Sequence, residues 1–294
     1  MKKLILILAV VIAMPLAASA IDNPDIYLGF ENTNGDYTAP GWWARGSGGA
    51  NPAWDNTGSS PAEQVNYISG GSNLAPIGVS STDGIKGDYL DQTGGGTPGV
   101  DAGATWSYKF EAVTAMSEAQ SYTCTFWGNT RDASRAGVNN YVFNQFGSQA
   151  LLRWNVDGNL QARGEDVNWY ISENMPANNG QWMFYAVTVD SSSVKFYQGT
   201  KSGAVQLIDE FTGLTLPAAP TLSTGDPTST PFIFGGYTYN GSAKYLGADL
   251  DEFRIYTSTA DDGALNMADL EAIRQYDIPE PATMALLVLG AGLI

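Results

Sequence analysis

Apolar and polar residues alternate along much of the chain in short runs bounded by Gly, Pro, Asn and Asp, and helical periodicity is scarce. Successive side chains on a strand point to opposite faces, so many such runs at short intervals predict two sheets packed face to face. Strands are predicted at 26–31, 105–111, 122–128, 141–145, 150–156, 159–163, 182–190, 194–198, 231–235 and 248–256. In one of them Leu152 and Trp154 make an apolar face, while Leu151 and Arg153 make a mixed one. Asp157-Gly158 follows as a two-residue hairpin connection that favours positive φ. Residues 32–103 are richer in Gly, Asn, Ser and Pro. A structureless loop of that length is unusual inside a compact domain, so short strands near 65–68 and 87–90 are expected to pin it to the sheets. One helix is predicted from Met267 to about Arg274. Asn266 is its N-cap, Asp269 takes the capping-box position, and Leu265 staples onto Leu270. The expected fold class is all-β: an antiparallel two-sheet sandwich with one short C-terminal helix.

The ends of the chain change the picture. Lys2 and Lys3 precede an apolar run over 4–16, and the small residues Ala18 and Ala20 suit a signal peptidase, so residues 1–20 are expected to be a signal peptide cleaved after Ala20. A membrane anchor is the other reading of this run, but spanning hydrocarbon takes about 20 apolar residues. The net charge of −16 repels phosphate backbones and anionic lipid heads, which excludes nucleic acid as a partner and favours divalent cations or neutral polymers. Histidine is missing, so catalysis here would rest on carboxylates. The lone Cys124 alternates in phase with Tyr122 and Phe126 and reads as a small buried hydrophobe.

Three stretches carry a family resemblance. Gly180-Gln181-Trp182 leads a strand through Asp190, and a second strand over 194–199 ends in Tyr197-Gln198-Gly199. Residues 247–256, containing Asp249, Asp251, Phe253 and Ile255, make a closing strand ahead of the helix. Weaker matches are Leu28-Gly29-Phe30-Glu31 and the run 122–127. Together they resemble the laminin-G-like, concanavalin A-like lectin/glucanase jelly roll, which implies a jelly-roll sandwich over 21–277. The resemblance implies little about the ligand.

A second resemblance lies at the end, where Ile278-Pro279-Glu280-Pro281-Ala282-Thr283 precedes an apolar run over 284–294. This looks like a PEP-CTERM sorting signal, which implies an exosortase-type enzyme as partner, transient contact of the tail with the inner membrane, and a cell-envelope, surface or matrix location in a bacterium that makes exopolysaccharide. Pro279 and Pro281 hold an extended segment around Glu280 that a protease groove can grip. The arginine cluster that normally ends such signals does not follow, so 278–294 is either a truncated signal or a departure from the pattern.

The candidate chemistry is carboxylate and aromatic. Asp249 and Asp251 lie two residues apart, and same-face neighbours on a strand are separated by about 6.5 to 7 Å, near the ~5 to 5.5 Å that a retaining glycosidase needs between its carboxyl groups. The Glu-x-Asp-x-x-Glu type of series that the resemblance would bring for a glucanase does not occur. In strict alternation Asp249, Asp251, Phe253 and Ile255 share an inward face, while Glu252 and Arg254 pair at the surface. A core-side Asp251 needs a partner. The family resemblance implies a structural calcium held by Asp251 and Glu31; backbone amides or an indole are the other possibility. In the loop, Trp42, Trp43, Trp54 and Tyr67 either cover an edge of the core or stack on sugars. These features predict a non-catalytic binding or structural module with glycan or exopolysaccharide as ligand. The alternatives are a carbohydrate-active hydrolase and a purely structural, calcium-stabilised adhesin.

Overall fold

A computed structural model describes Pro24, 26–28, 63–66, 78–79, Ile85, 89–90, 106–110, 119–129, 140–145, 151–155, 157–163, 168–176, 180–216, 232–234, 236–239, 242–245 and 248–278. The expectations for Ala18, Ala20, Glu31, Trp42, Trp43, Trp54, Tyr67, Pro279, Glu280 and Pro281 fall outside these residues.

In chain order the strands are β1 (Ile26–Leu28), β2 (Glu63–Asn66), β3 (Gly78–Val79), β4 (Tyr89–Leu90), β5 (Trp106–Phe110), β6 (Ser121–Asn129), β7 (Asn140–Gln145), β8 (Leu151–Trp154), β9 (Asn159–Arg163), β10 (Trp169–Pro176), β11 (Met183–Val189), β12 (Ser193–Thr200), β13 (Gln206–Thr212), β14 (Phe232–Phe234), β15 (Gly236–Tyr239), β16 (Ser242–Tyr245) and β17 (Asp249–Ser258). A 3-10 turn (Asp261–Gly263) and helix α1 (Met267–Asp277) follow. Among the described residues the first sheet runs β13-β12-β11-β6-β17-β4-β3, with β1 also on β17, and the second runs β10-β9-β8-β7-β14-β5-β2. Strands β15 and β16 form a separate hairpin. The described pairings are antiparallel, as the jelly-roll expectation requires. Within 32–103, β2 joins the second sheet while β3 and β4 join the first, so the long segment is pinned to both.

The sandwich interior follows from period-2 alternation. Cys124 sits opposite Val187 on one side and Ile255 on the other, and all three point between the sheets. Phe126, Tyr185 and Trp154 close the same core, Phe126 stacked on Tyr185 at 5.3 Å and edge-on to Trp154 at 5.7 Å. Cys124 is fully buried, which pushes its thiol well above the ordinary range. It is inert packing.

The first sheet has a second core on its other face. Trp127, Phe184, Ala186, Tyr197 and Tyr256 pack there under Ile85 and the helix residues Leu270 and Ile273. Asn266 caps α1 as expected, accepting from the amides of Ala268 (2.9 Å) and Asp269 (3.2 Å). Arg274 crosses Gly199, where a Cβ would lie 2.8 Å from the Arg274 Cδ, and donates to the carbonyl of Thr200 (2.7 Å). The glycine that ends this strand motif is therefore a packing requirement of the helix.

Three sequence expectations need correction. The β8–β9 turn is wider than two residues: the amide of Asn155 donates to the carbonyl of Asn159 and that of Gly158 to the carbonyl of Asn155, with Gly158 at positive φ (82°). This is the turn-plus-left-handed-residue geometry of a three-residue hairpin loop. The helix extends past Arg274 to Asp277, because its last residue is held by the sheet. The third correction concerns the closing strand.

Candidate functional site

A bulge in β17 sets the chemistry of the first sheet's outer face. Asp251 pairs with Trp127 and Arg254 with Thr125, so two β6 steps answer three on β17, and Glu252 takes the extra position at φ 51°. One extra residue reverses the alternation. Phe253 and Ile255 still point inward, but Asp251 joins Trp127 on the opposite face and Arg254 lies beside it. The shared inward face expected of Asp249, Asp251, Phe253 and Ile255 is thus split. The expected surface pair of Glu252 and Arg254 is likewise buried, Glu252 completely.

Arg254 is the hub of this layer. It donates to both oxygens of Asp277 from Nη1 (3.0 Å) and Nη2 (2.7 Å), to the carboxylate of Glu252, and to the Glu252 carbonyl (3.1 Å). Trp127 adds its indole N–H to Asp277 at 3.1 Å. One guanidinium facing two buried carboxylates leaves an excess negative charge. Burial pushes the Asp277 carboxyl up to about 7; Arg254 pulls it down, and Glu252 pushes it further up. Its place in the last turn of α1, at the negative end of the helix dipole, acts in the same direction as burial. The network clamps the helix to the sheet.

Asp251 serves the same layer. Its Oδ2 accepts from the amide of Ile85 and its Oδ1 from that of Glu252, both at 2.8 Å. The first bond holds Ile85, which lies between β3 and β4 in the chain, against the closing strand. Calcium needs six to eight oxygen ligands. Among the described residues no three His, Cys, Asp or Glu side chains converge on a metal position. Glu31, the second residue expected to hold calcium, lies outside the described residues.

The outer face of the second sheet is built differently. Register sets Tyr141, Arg153, Gln161 and Ile171 in one row across β7, β8, β9 and β10, with Arg163 and Trp169 paired in the next. Arg153 donates from Nε to Gln161 Oε1 (2.9 Å) and from Nη1 to the Tyr141 hydroxyl (2.6 Å). Its guanidinium reaches past β9 to lie over the Trp169 ring, 3.8 Å from the centroid, and Arg163 stands 5.5 Å from the same ring. Tyr141 and Gln161 are buried, while Arg153, Arg163 and Trp169 are half exposed. A planar cation braced on an aromatic ring, with an amide and a phenol at its edge, offers a flat surface with directional donors.

Sequence reasoning found the mixed face of β8 that carries Arg153. It missed Trp169, because β10 was not read as a strand.

The model of the concanavalin A-like lectin/glucanases superfamily, laminin-G type, matches residues 101–264. The chain belongs to this superfamily. A comparison with curated protein sequences finds no significant match. Among solved structures, domain 4 of AbnA, a GH43 extracellular arabinanase from Geobacillus stearothermophilus in complex with arabinotriose, is 15% identical with a TM-score of 0.47, covering 86% of this chain and 100% of that one. The receptor binding domain of botulinum neurotoxin mosaic serotype C/D is 10% identical with a TM-score of 0.47, covering 86% of this chain and 51% of that one. This chain therefore spans about half the length of that toxin domain.

Proposed function

We propose that this is an exported, non-catalytic glycan-binding module, displayed on the cell envelope or in its matrix, with the outer face of the second sheet as its ligand surface. The observation that carries the reading is the Arg153–Trp169 platform, a half-exposed guanidinium and indole ring braced by the buried Tyr141 and Gln161. Sugars present flat C–H faces and hydroxyl groups, which such a surface meets with stacking and directional hydrogen bonds. The export part of the reading rests on the signal-like start around Ala18 and Ala20 and the Pro279-Glu280-Pro281 tail.

A non-catalytic role is supported by where the carboxylates lie. Asp249 and Asp251, the pair nearest to glycosidase spacing in the sequence, are completely buried, and both Asp251 oxygens accept backbone amides. Carboxyl groups sealed from solvent cannot flank a glycosidic bond.

A glycan array with the full-length protein and its Trp169→Ala variant tests the binding reading. Retention of a subset of glycans by the first and its loss in the second is the expected result. Equal retention by both would move the ligand surface elsewhere. Reducing-sugar release from β-glucans would replace the binding module with a hydrolase.

A further inference from the structure

The platform distinguishes between glycans by charge. Resting on the reading above, we infer that the second sheet's outer face selects glycans bearing carboxylates, as uronic-acid chains do, and that Arg153 is the residue that receives the carboxylate.

The Arg153 guanidinium has donors to spare. It carries five N–H donors in a planar fork. In Arg153 one is taken by Gln161 and one by Tyr141, and its remaining neighbour is the face of Trp169. All three partners are neutral. The other arginines with described ion pairs are saturated by acids: Arg254 meets Asp277 at 2.7 Å and Arg274 meets Glu271 at 2.6 Å. Among the described residues Arg153 has no carboxylate partner, in a chain with 30 acidic and 14 basic residues. An excess of acid makes a cation with purely neutral company unusual, and three N–H groups remain for an oxyanion.

The guanidinium is also fixed in place. Nε is held by Gln161, Nη1 by Tyr141, and the plane by Trp169, so little ordering remains to be done when a carboxylate docks. Arg163, opposite Trp169 in the next row, adds a second positive charge to the face. Charge-assisted, forked hydrogen bonds to carboxylate are the strongest that such a site can make. A nucleic acid would offer anions too, but duplex DNA carries one charge about every 1.7 Å, which a chain of net charge −16 repels far more than one carboxylate per sugar.

The test uses full-length protein in calorimetric titrations with oligomers of galacturonate, glucuronate and mannuronate, each beside the same oligomer reduced at its carboxyl groups to the neutral sugar. At least one acidic oligomer should bind about tenfold or more tighter than its neutral counterpart, the effect expected of a hydrogen-bonded charge. Arg153→Gln should weaken the acidic oligomer about tenfold or more and its neutral counterpart much less, so that the preference disappears, and Arg153→Lys should keep part of it. Thermal midpoints near that of the parent show that both variants are folded. Equal binding of acidic and neutral members overturns the inference and leaves the glycan reading standing. Binding of neither member of any pair overturns both. An acidic preference that survives Arg153→Gln takes the carboxylate away from Arg153.

Discussion

Arg254 and Arg153 occupy the outer faces of opposite sheets, and their surroundings differ in every respect that matters. Arg254 is buried under α1, forks onto Asp277, and touches Glu252. Arg153 is half exposed and leans on Gln161, Tyr141 and Trp169. A desolvated guanidinium needs opposing charge to exist in the folded state, so the first arginine is committed to structure. The second has kept donors that the fold does not use. The contrast teaches where a binding function can sit in this sandwich: one outer face is sealed by helix and carboxylates, while the other leaves Arg153, Arg163 and Trp169 partly exposed beside the buried Tyr141 and Gln161.

The sharpest way to break the comparison is to remove each arginine in turn. Arg254→Met strands two buried carboxylates and should destabilise the protein by about 3 to 5 kcal/mol in denaturant titrations. Arg153→Gln removes two hydrogen bonds and a part-exposed cation–π contact but strands no charge, and should cost about 1 to 2 kcal/mol. Similar losses would erase the distinction drawn here.

Next in size is Asp251→Ala, which orphans the amides of Ile85 and Glu252 and should cost about 2 to 4 kcal/mol. Thermal melts in calcium and in chelator should show the same loss. A larger loss in calcium would place an ion at this carboxylate.

A smaller effect appears in the pH dependence. With Asp277 raised to about 7 and an unfolded value near 4, the folded state holds a proton that the unfolded chain gives up over that window. The contribution of Asp277 to stability therefore falls as pH rises from about 4 to about 7. Stability curves of the protein and of Asp277→Asn, which mimics the protonated acid, should run together near pH 4 and separate as pH rises to about 7, the parent falling and the variant not. Glu271 behaves oppositely: the Arg274 hydrogen bonds hold its carboxyl down to about 2, so its contribution is present above about 4.5 and fades as pH falls toward 2. Glu271→Gln should close on the parent only in acid.

Much of the fold was legible because the inner strands are apolar-rich runs, buried on both faces and bounded by turn residues. β6, β11 and β17 lie where the pattern predicts them. Among the described residues the strands that escaped are β3, β10 and β13, each at an end of its sheet, and the separate β15–β16 hairpin. Edge strands carry polar residues and irregular register, and Asp209 of β13 holds the two edges together by accepting from Ser172 and from Asn174 Nδ2 (2.8 Å). The bulge left no signal either, because its left-handed residue is Glu252 and not a glycine. Without the bulge, Arg254 reads as a surface residue and its link to Asp277, 23 positions on, is invisible. Arg153 was legible as a polar residue on a strand. Its partner Trp169 was hidden with β10.

One spectrum compares both faces at once. In a protein with nitrogen-15 tryptophan, the indole N–H of Trp127 reports the sealed face, where it bonds Asp277, and that of Trp169 reports the open one. Titrating in the glycan that binds best should move the Trp169 signal saturably and leave Trp127 in place. A shift of Trp127 with Trp169 unmoved would contradict the account.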